Sequence, residues 1–107
     1  MTASRAAAEA AVRHILDSPC LVERSRPTLG GAEVDWPALL AEAETMSNGQ
    51  RLLVRVAHDL WEAAGGVGIR ELARGLDATH FERVMTALWL YRGDVHDASL
   101  AALREVA

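Results

Sequence analysis

The sequence predicts an all-α fold, a single compact domain of about six helices that spans residues 1–107. Half of the 107 residues are apolar, which is enough for one buried core. A chain of this length leaves no room for a second domain. Apolar residues recur with helical spacing along most of the chain, and capping patterns mark several helix starts. We also expect a helix-turn-helix-like corner and an irregular arm or short hairpin at residues 20–35.

The first helix should occupy about residues 4–17, because its many alanines favour helix and Val12, Ile15 and Leu16 form one apolar stripe. Ser18 and Pro19 should end it, since the residue before a proline is disfavoured in the helical conformation.

Residues 20–35 lose the helical period. Pro27 and the pair Gly30-Gly31 interrupt two short stretches, Leu21-Val22 and Glu33-Val34. This pattern predicts an irregular arm or a loose hairpin, and the sequence leaves the two alternatives open.

Two helices should follow with almost no loop between them. Trp36 and Pro37 suit a first helical turn, and Asp35 can accept the unpaired amide hydrogen bonds there. Ser47 and Gln50 have the spacing of a capping box, which predicts a new helix start at residue 48. The buried side of the earlier helix should consist of Leu39, Leu40, Ala43 and Met46.

The helix at about residues 48–64 has the strongest periodicity and should be the central core helix. Its apolar face holds Leu53, Val56, Ala57, Leu60, Trp61 and Ala64. Its opposite face, expected to meet solvent, mostly consists of Arg51, Arg55, His58, Asp59 and Glu62.

Glycines at 65, 66 and 68 should end this helix, and a short helix at residues 70–76 should follow. Its inward side chains should be Leu72, Ala73 and Leu76.

A second capping box, Thr79 to Glu82, predicts the start of a helix that runs to Arg92, with Gly93 as its left-handed stop. A last helix is expected at about residues 97–105.

Residues 67–93, VGIRELARGLDATHFERVMTALWLYRG, resemble the helix-turn-helix unit of winged-helix regulators. The resemblance implies that the second helix of this corner reads bases in the major groove of DNA. The implied base readers are His80, Glu82, Arg83 and Thr86, and the implied phosphate contacts are Arg70, Arg74 and Arg92. The sequence departs from the family at Asp77, where a glycine is usual, and in the acidic segment that replaces a basic wing. An ordinary helical corner packed on the central helix is the alternative.

The end of the same helix carries more apolar surface than one thin layer can bury. Trp89, Leu90 and Tyr91 point in successive directions, so we expect the terminal helix, a protein partner or a second copy of the chain to cover part of them. Tryptophan, tyrosine and arginine dominate interface hot spots. The candidate interface residues are therefore Trp36, Leu88, Trp89, Tyr91 and Arg92.

Residues that carry catalytic or metal chemistry are sparse. Cys20 is the one cysteine, which excludes an intrachain disulfide and a thiolate zinc cluster, and it has no histidine close in sequence. His58 and Asp59 lack the further ligands of a metal site, and the glycines at 65–68 lack the P-loop spacing. We expect no catalytic site, no metal and no cofactor.

The charge pattern bears on partners. The net charge is −4, which disfavours non-specific binding to nucleic acid or to an anionic membrane. Residues 65–93, however, carry four arginines against three carboxylates.

All eleven cationic residues are arginines, which indicates a GC-rich bacterial genome. No apolar run reaches the roughly 18 residues of a membrane span, so we expect a cytoplasmic protein.

These observations favour a non-enzymatic interaction or regulatory module that works through protein contacts as a homodimer. A helix-turn-helix DNA-binding regulator is the alternative hypothesis.

Overall fold

A computed structural model describes residues 5–25, 29–30 and 33–93, and it confirms the all-α prediction. In chain order the elements are α1 (Arg5–Leu16), α2 (Val22–Ser25), β1 (Leu29–Gly30), β2 (Glu33–Val34), α3 (Trp36–Ala43), α4 (Asn48–Glu62), α5 (Ile69–Gly75) and α6 (Ala78–Arg92). The helix predicted at 97–105 lies outside the described residues.

The core forms where α1 packs on α6 and α4, and α4 also contacts α3 and α5. Ile15, Leu16, Leu53, Val54 and Val84 are among its fully buried side chains. Because α4 touches four other helices, the prediction that it is the central helix is confirmed. No helix in the described ranges has both the length and the apolar character needed to cross a membrane.

The arm at residues 20–35 contains both a helical turn and a minimal hairpin. Leu29 pairs with Val34 and Gly30 with Glu33 in an antiparallel arrangement. The stretch Leu21-Val22 belongs to the helical part of the arm, because Leu21 is fully buried and directly precedes the single turn of α2. Burying this leucine brings the chain back against the end of α1, so core packing overrides the weak local pattern.

Two predicted helix starts are confirmed. At α3 the Asp35 carboxylate accepts a hydrogen bond from the Ala38 amide at 3.1 Å. At α4 the capping box is complete: Ser47 Oγ accepts from the Gln50 amide at 3.2 Å, and Gln50 Oε1 accepts from the Ser47 amide at 3.0 Å. These caps satisfy amides that the first helical turn leaves unpaired.

The capping box predicted at Thr79 is wrong. Asp77 caps α6 instead, since its Oδ1 accepts a hydrogen bond from the His80 amide at 2.8 Å. Helix α6 therefore begins at Ala78, and only Leu76 and Asp77 separate it from α5. An aspartate two residues upstream competes with threonine for the same role and is at least as good a cap.

Part of the polar face of α4, which we expected to meet solvent, makes hydrogen bonds to other parts of the protein. Arg55 donates hydrogen bonds to the Gly65 carbonyl at 3.0 Å, the Gly66 carbonyl at 2.7 Å and both carboxylate oxygens of Glu71 at 2.6 and 3.0 Å. The Asp59 carboxylate accepts from two amides of the same loop. These two side chains thus hold α5 and its approach loop against α4.

The pKa values of this ion pair are shifted in the directions that favour it. The Arg55 hydrogen bonds lower the pKa of Glu71 below its ordinary value of 4.5, and the same bonds raise the pKa of Arg55. Gly65 is required at this junction, because a Cβ atom there would lie 1.9 Å from the Arg55 carbonyl oxygen.

Fewer side chains of α5 are buried than the sequence predicted. Leu72 and Leu76 are half-buried against the core, as expected, but Ala73 is exposed. Ile69 at the start of the helix is 87% exposed. Helix α5 has seven residues, none of them buried, and it presents most of its surface to solvent.

Candidate interaction surface

The outward side of α6 carries a continuous stripe of exposed side chains, which we call the α6 outer face. Its members are Glu82, Met85, Leu88, Trp89 and Arg92. Met85 and Trp89 are each 40% exposed and Leu88 is 36% exposed. The spacing of three and four residues places all five on one side of the helix.

The stripe faces outward because the other side of α6 is fixed by the core. Val84 and Ala87 are fully buried, and α1 is the helix with which α6 packs most extensively. Leu90 and Tyr91 are half-buried against the same core. The sequence predicted surplus apolar surface at residues 88–91, and the structure divides it between the core and the outer face.

Arg92 lies over the ring of Trp89, with its guanidinium carbon 5.3 Å from the ring centroid. This is cation–π geometry, in which the guanidinium is attracted by the negative face of the indole. The two residues form one unit at the C-terminal end of the outer face.

Three of the four side chains implied as DNA base readers make contacts within the protein. Arg83 Nη1 donates a hydrogen bond to the His14 carbonyl at 2.7 Å. Thr86 Oγ1 donates to the Glu82 carbonyl at 3.2 Å. The His80 ring contacts the side chains of both Cys20 and Asp77. The remaining implied reader, Glu82, is an exposed carboxylate, which repels phosphate.

Arg70 and Arg74, the implied phosphate contacts on α5, are exposed. Neither forms an ion pair within the part of the chain that the structure describes. Their position leaves them accessible to an anionic partner.

Trp36 has a different environment from the one the sequence suggested. It is only 7% exposed, and its ring stacks on that of His58 with centroids 4.8 Å apart and planes 25° apart. His58, expected on the solvent-facing side of α4, is correspondingly buried, and its Nε2 lies 3.0 Å from Glu62 Oε2. Trp36 therefore offers little area to a partner, because α3 folds back so that its first residue meets α4.

Cys20 has no histidine close to it in sequence, but the fold brings one close to it in space. Cys20 Sγ lies 3.3 Å from His80 Nε2, and His80 Nδ1 lies 3.2 Å from Asp77 Oδ1. Sixty residues separate the cysteine from the histidine, so no local pattern could have revealed the contact. Across the described ranges no three His, Cys, Asp or Glu side chains form a group able to hold a metal ion.

Comparison with protein families, with curated proteins and with solved structures finds no match to this chain.

Proposed function

We propose that this chain is a non-enzymatic interaction module that works as a homodimer through the α6 outer face. The observation that carries the proposal is the row of Met85, Leu88 and Trp89, all exposed, side by side and flanked by Glu82 and Arg92. Three large apolar side chains in one stripe form the kind of patch that marks an interaction site. Tryptophan and arginine are also the residues that contribute most to interface hot spots.

The order of charges along the stripe favours a second copy of the chain as the partner. Glu82 lies at the N-terminal end and Arg92 at the C-terminal end, about 15 Å apart along the helix axis. When two α6 helices pack antiparallel about a two-fold axis, Glu82 of each copy meets Arg92 of the other. The same arrangement brings Met85 opposite Trp89, with Leu88 near the axis. The surface is therefore complementary to itself, as a two-fold interface requires.

The size of the patch sets the expected strength of the dimer. One helix face is smaller than the roughly 800 Å² per partner of a standard stable interface. We expect a dissociation constant on the order of micromolar to tens of micromolar, which makes the dimer concentration-dependent.

An exchange of charges tests the antiparallel arrangement. Glu82→Arg and Arg92→Glu should each weaken dimerisation, because each places like charges opposite one another twice in the symmetric interface. The double variant should recover most of the loss, measured by sedimentation equilibrium of the full chain. Recovery is specific to self-association, since an unrelated partner would not change its own charges. Two single variants that dimerise like the unmodified chain would contradict the arrangement.

A DNA-binding regulator is the second candidate. The observations in its favour are the short connection between α5 and α6 and the exposed Arg70 and Arg74. Binding to genomic DNA fragments at low salt should then be lost gradually as salt rises, and Arg70→Ala with Arg74→Ala should weaken it on every sequence. Absence of binding at low salt, or binding unchanged in the double variant, removes this candidate.

A further inference from the structure

Three side chains with nucleophilic or acid–base chemistry meet where the arm at residues 20–35 contacts α6. Cys20 Sγ lies 3.3 Å from His80 Nε2, and His80 Nδ1 lies 3.2 Å from Asp77 Oδ1. This is the order of a nucleophile, a base and a carboxylate that orients the base. Cys20 is half-buried, and the side chains of His80 and Asp77 are 24% and 65% exposed. The cluster therefore lies at the surface of the protein.

A buried hydroxyl also points at the sulfur. Ser18 is fully buried, and its Oγ lies 3.6 Å from Cys20 Sγ. Within the described residues this hydroxyl makes no other hydrogen bond. A thiol sulfur is a weak hydrogen-bond acceptor, whereas a thiolate accepts more strongly because it is charged. The Ser18 hydroxyl is therefore best satisfied when Cys20 is ionised.

The backbone holds the thiol and the imidazole in this position. Gln50, which completes the capping box of α4, donates a hydrogen bond from Nε2 to the Cys20 carbonyl at 2.7 Å. The next residue, Leu21, is fully buried. On the other side of the contact, His80 lies in the first turn of α6, whose cap is Asp77. The two reacting groups are thus aligned before any reagent arrives, which lowers the entropic cost of a reaction.

We propose that Cys20 is a nucleophilic thiol that small disulfides modify reversibly. The Asp77 carboxylate favours the tautomer of His80 with its proton on Nδ1, which leaves Nε2 free to accept the thiol proton. The thiolate then attacks one sulfur of the disulfide, so that an S–S bond forms at Cys20 and the S–S bond of the reagent breaks. The leaving thiolate takes up the proton that His80 holds. Cys20 is oxidised to a mixed disulfide, and the other half of the reagent is reduced to a thiol.

The absence of a second cysteine decides how this modification ends. Cys20 is the one cysteine of the chain, so no thiol of the same molecule can displace the bound group. The mixed disulfide should persist until an external thiol attacks it. The reaction is stoichiometric and does not involve the α6 outer face.

Alkylation of the full-length protein by iodoacetamide at neutral pH, followed by mass spectrometry, measures the reactivity of the thiol. An ordinary thiol is only a few per cent ionised there, so ionisation can raise its rate by up to roughly thirtyfold. We expect the folded chain to react about tenfold faster than the chain unfolded in guanidinium chloride. His80→Gln should lose most of this gain, because glutamine cannot take up the proton. Reaction with 2-hydroxyethyl disulfide should follow the same order and give a mixed disulfide that dithiothreitol removes.

Matched variants separate the contributions of the neighbouring residues. Asp77→Asn keeps the cap of α6, since asparagine caps as well as aspartate, and should slow alkylation by about two- to threefold. Thr79→Ala, at an exposed neighbour of His80, should leave the rate unchanged. Trp89→Glu should also leave it unchanged, because the reaction does not require the proposed dimer.

The proposal is overturned if the folded chain is alkylated no faster than the unfolded chain. It is also overturned if His80→Gln, with its helical circular dichroism intact, reacts as fast as the unmodified protein. Should His80→Gln not fold, Asp77→Asn decides the matter: a rate equal to that of the unmodified protein, or no slower than that of Thr79→Ala, overturns the proposal.

Discussion

Among residues 5–25, 29–30 and 33–93, Ala63 is the one non-glycine residue with a positive φ. It closes α4 with φ 56° and ψ 36°, in the left-handed region that favours glycine. Three residues later Gly66 adopts a φ of +65°, and a Cβ atom added there would meet no other atom within 4 Å. Both residues therefore have a left-handed backbone, and they differ mainly in that one is alanine and the other is glycine.

We expect Ala63→Gly to raise the free energy of unfolding by about 1 kcal/mol, because it removes the steric cost of a Cβ atom in the left-handed region. Gly66→Ala should lower it by a similar amount for the same reason. Chemical denaturation of both variants measures the two effects. Destabilisation by Ala63→Gly would show that the left-handed conformation costs nothing at this site.

Individual contacts between distant residues could not be predicted from the sequence. The helical period places His58 on the polar side of α4, yet the angle between α3 and α4 brings Trp36 onto it. The Cys20–His80 contact likewise depends on how the arm meets α6. Both follow from tertiary packing, which a local pattern does not contain.

Some helix starts could be predicted from a few neighbouring residues and others could not. The caps at Asp35 and Ser47 were predictable because each motif is complete within four residues and no stronger cap lies beside it. The start of α6 was not, because both Asp77 and Thr79 are acceptable caps. Helix α2 was not predictable either, since its single turn depends on the burial of Leu21.

A pair of variants tests the start of α6. Asp77→Ala should cost about 1 kcal/mol of stability, because it removes the acceptor for the His80 amide. Thr79→Ala should change stability by less than about 0.5 kcal/mol, as for an ordinary surface site. Thermal or chemical unfolding gives both values. The reverse order of effects would support the threonine capping box.

The attachment of α5 should depend on pH through Glu71. Because Arg55 lowers the pKa of this carboxylate, its contribution to stability is complete above the ordinary value of 4.5 and is lost as the pH falls through the lower value in the folded protein. Amide hydrogen exchange in α5 should therefore accelerate, relative to α4, in the acid range below that value.

Glu71→Gln provides the control for this pH effect. In this variant the amide hydrogens of α5 should exchange fast already at neutral pH, and their exchange should no longer accelerate in acid relative to α4. Exchange in α1 should stay unchanged. If α5 in this variant exchanges as slowly at neutral pH as in the unmodified chain, the ion pair does not hold the helix.

For the whole molecule, the sequence predicted an all-α fold and surplus apolar surface at residues 88–91. It did not predict which side chains remain outside, because that depends on the position of α1 against α6. The structure leaves Met85, Leu88 and Trp89 exposed and engages Arg83 and Thr86 within the chain. We propose that this outer face joins two copies of the protein.

Sedimentation equilibrium of the full chain over roughly three decades of concentration is the decisive test of this homodimer. The average mass should rise from monomer towards dimer, and Trp89→Glu should keep the chain monomeric with its helical circular dichroism intact. Ile69→Glu, a matched change at an exposed residue on α5, should still dimerise. A chain that stays monomeric at every concentration, or a Trp89→Glu variant that dimerises like the unmodified protein, would contradict a homodimer formed through the α6 outer face.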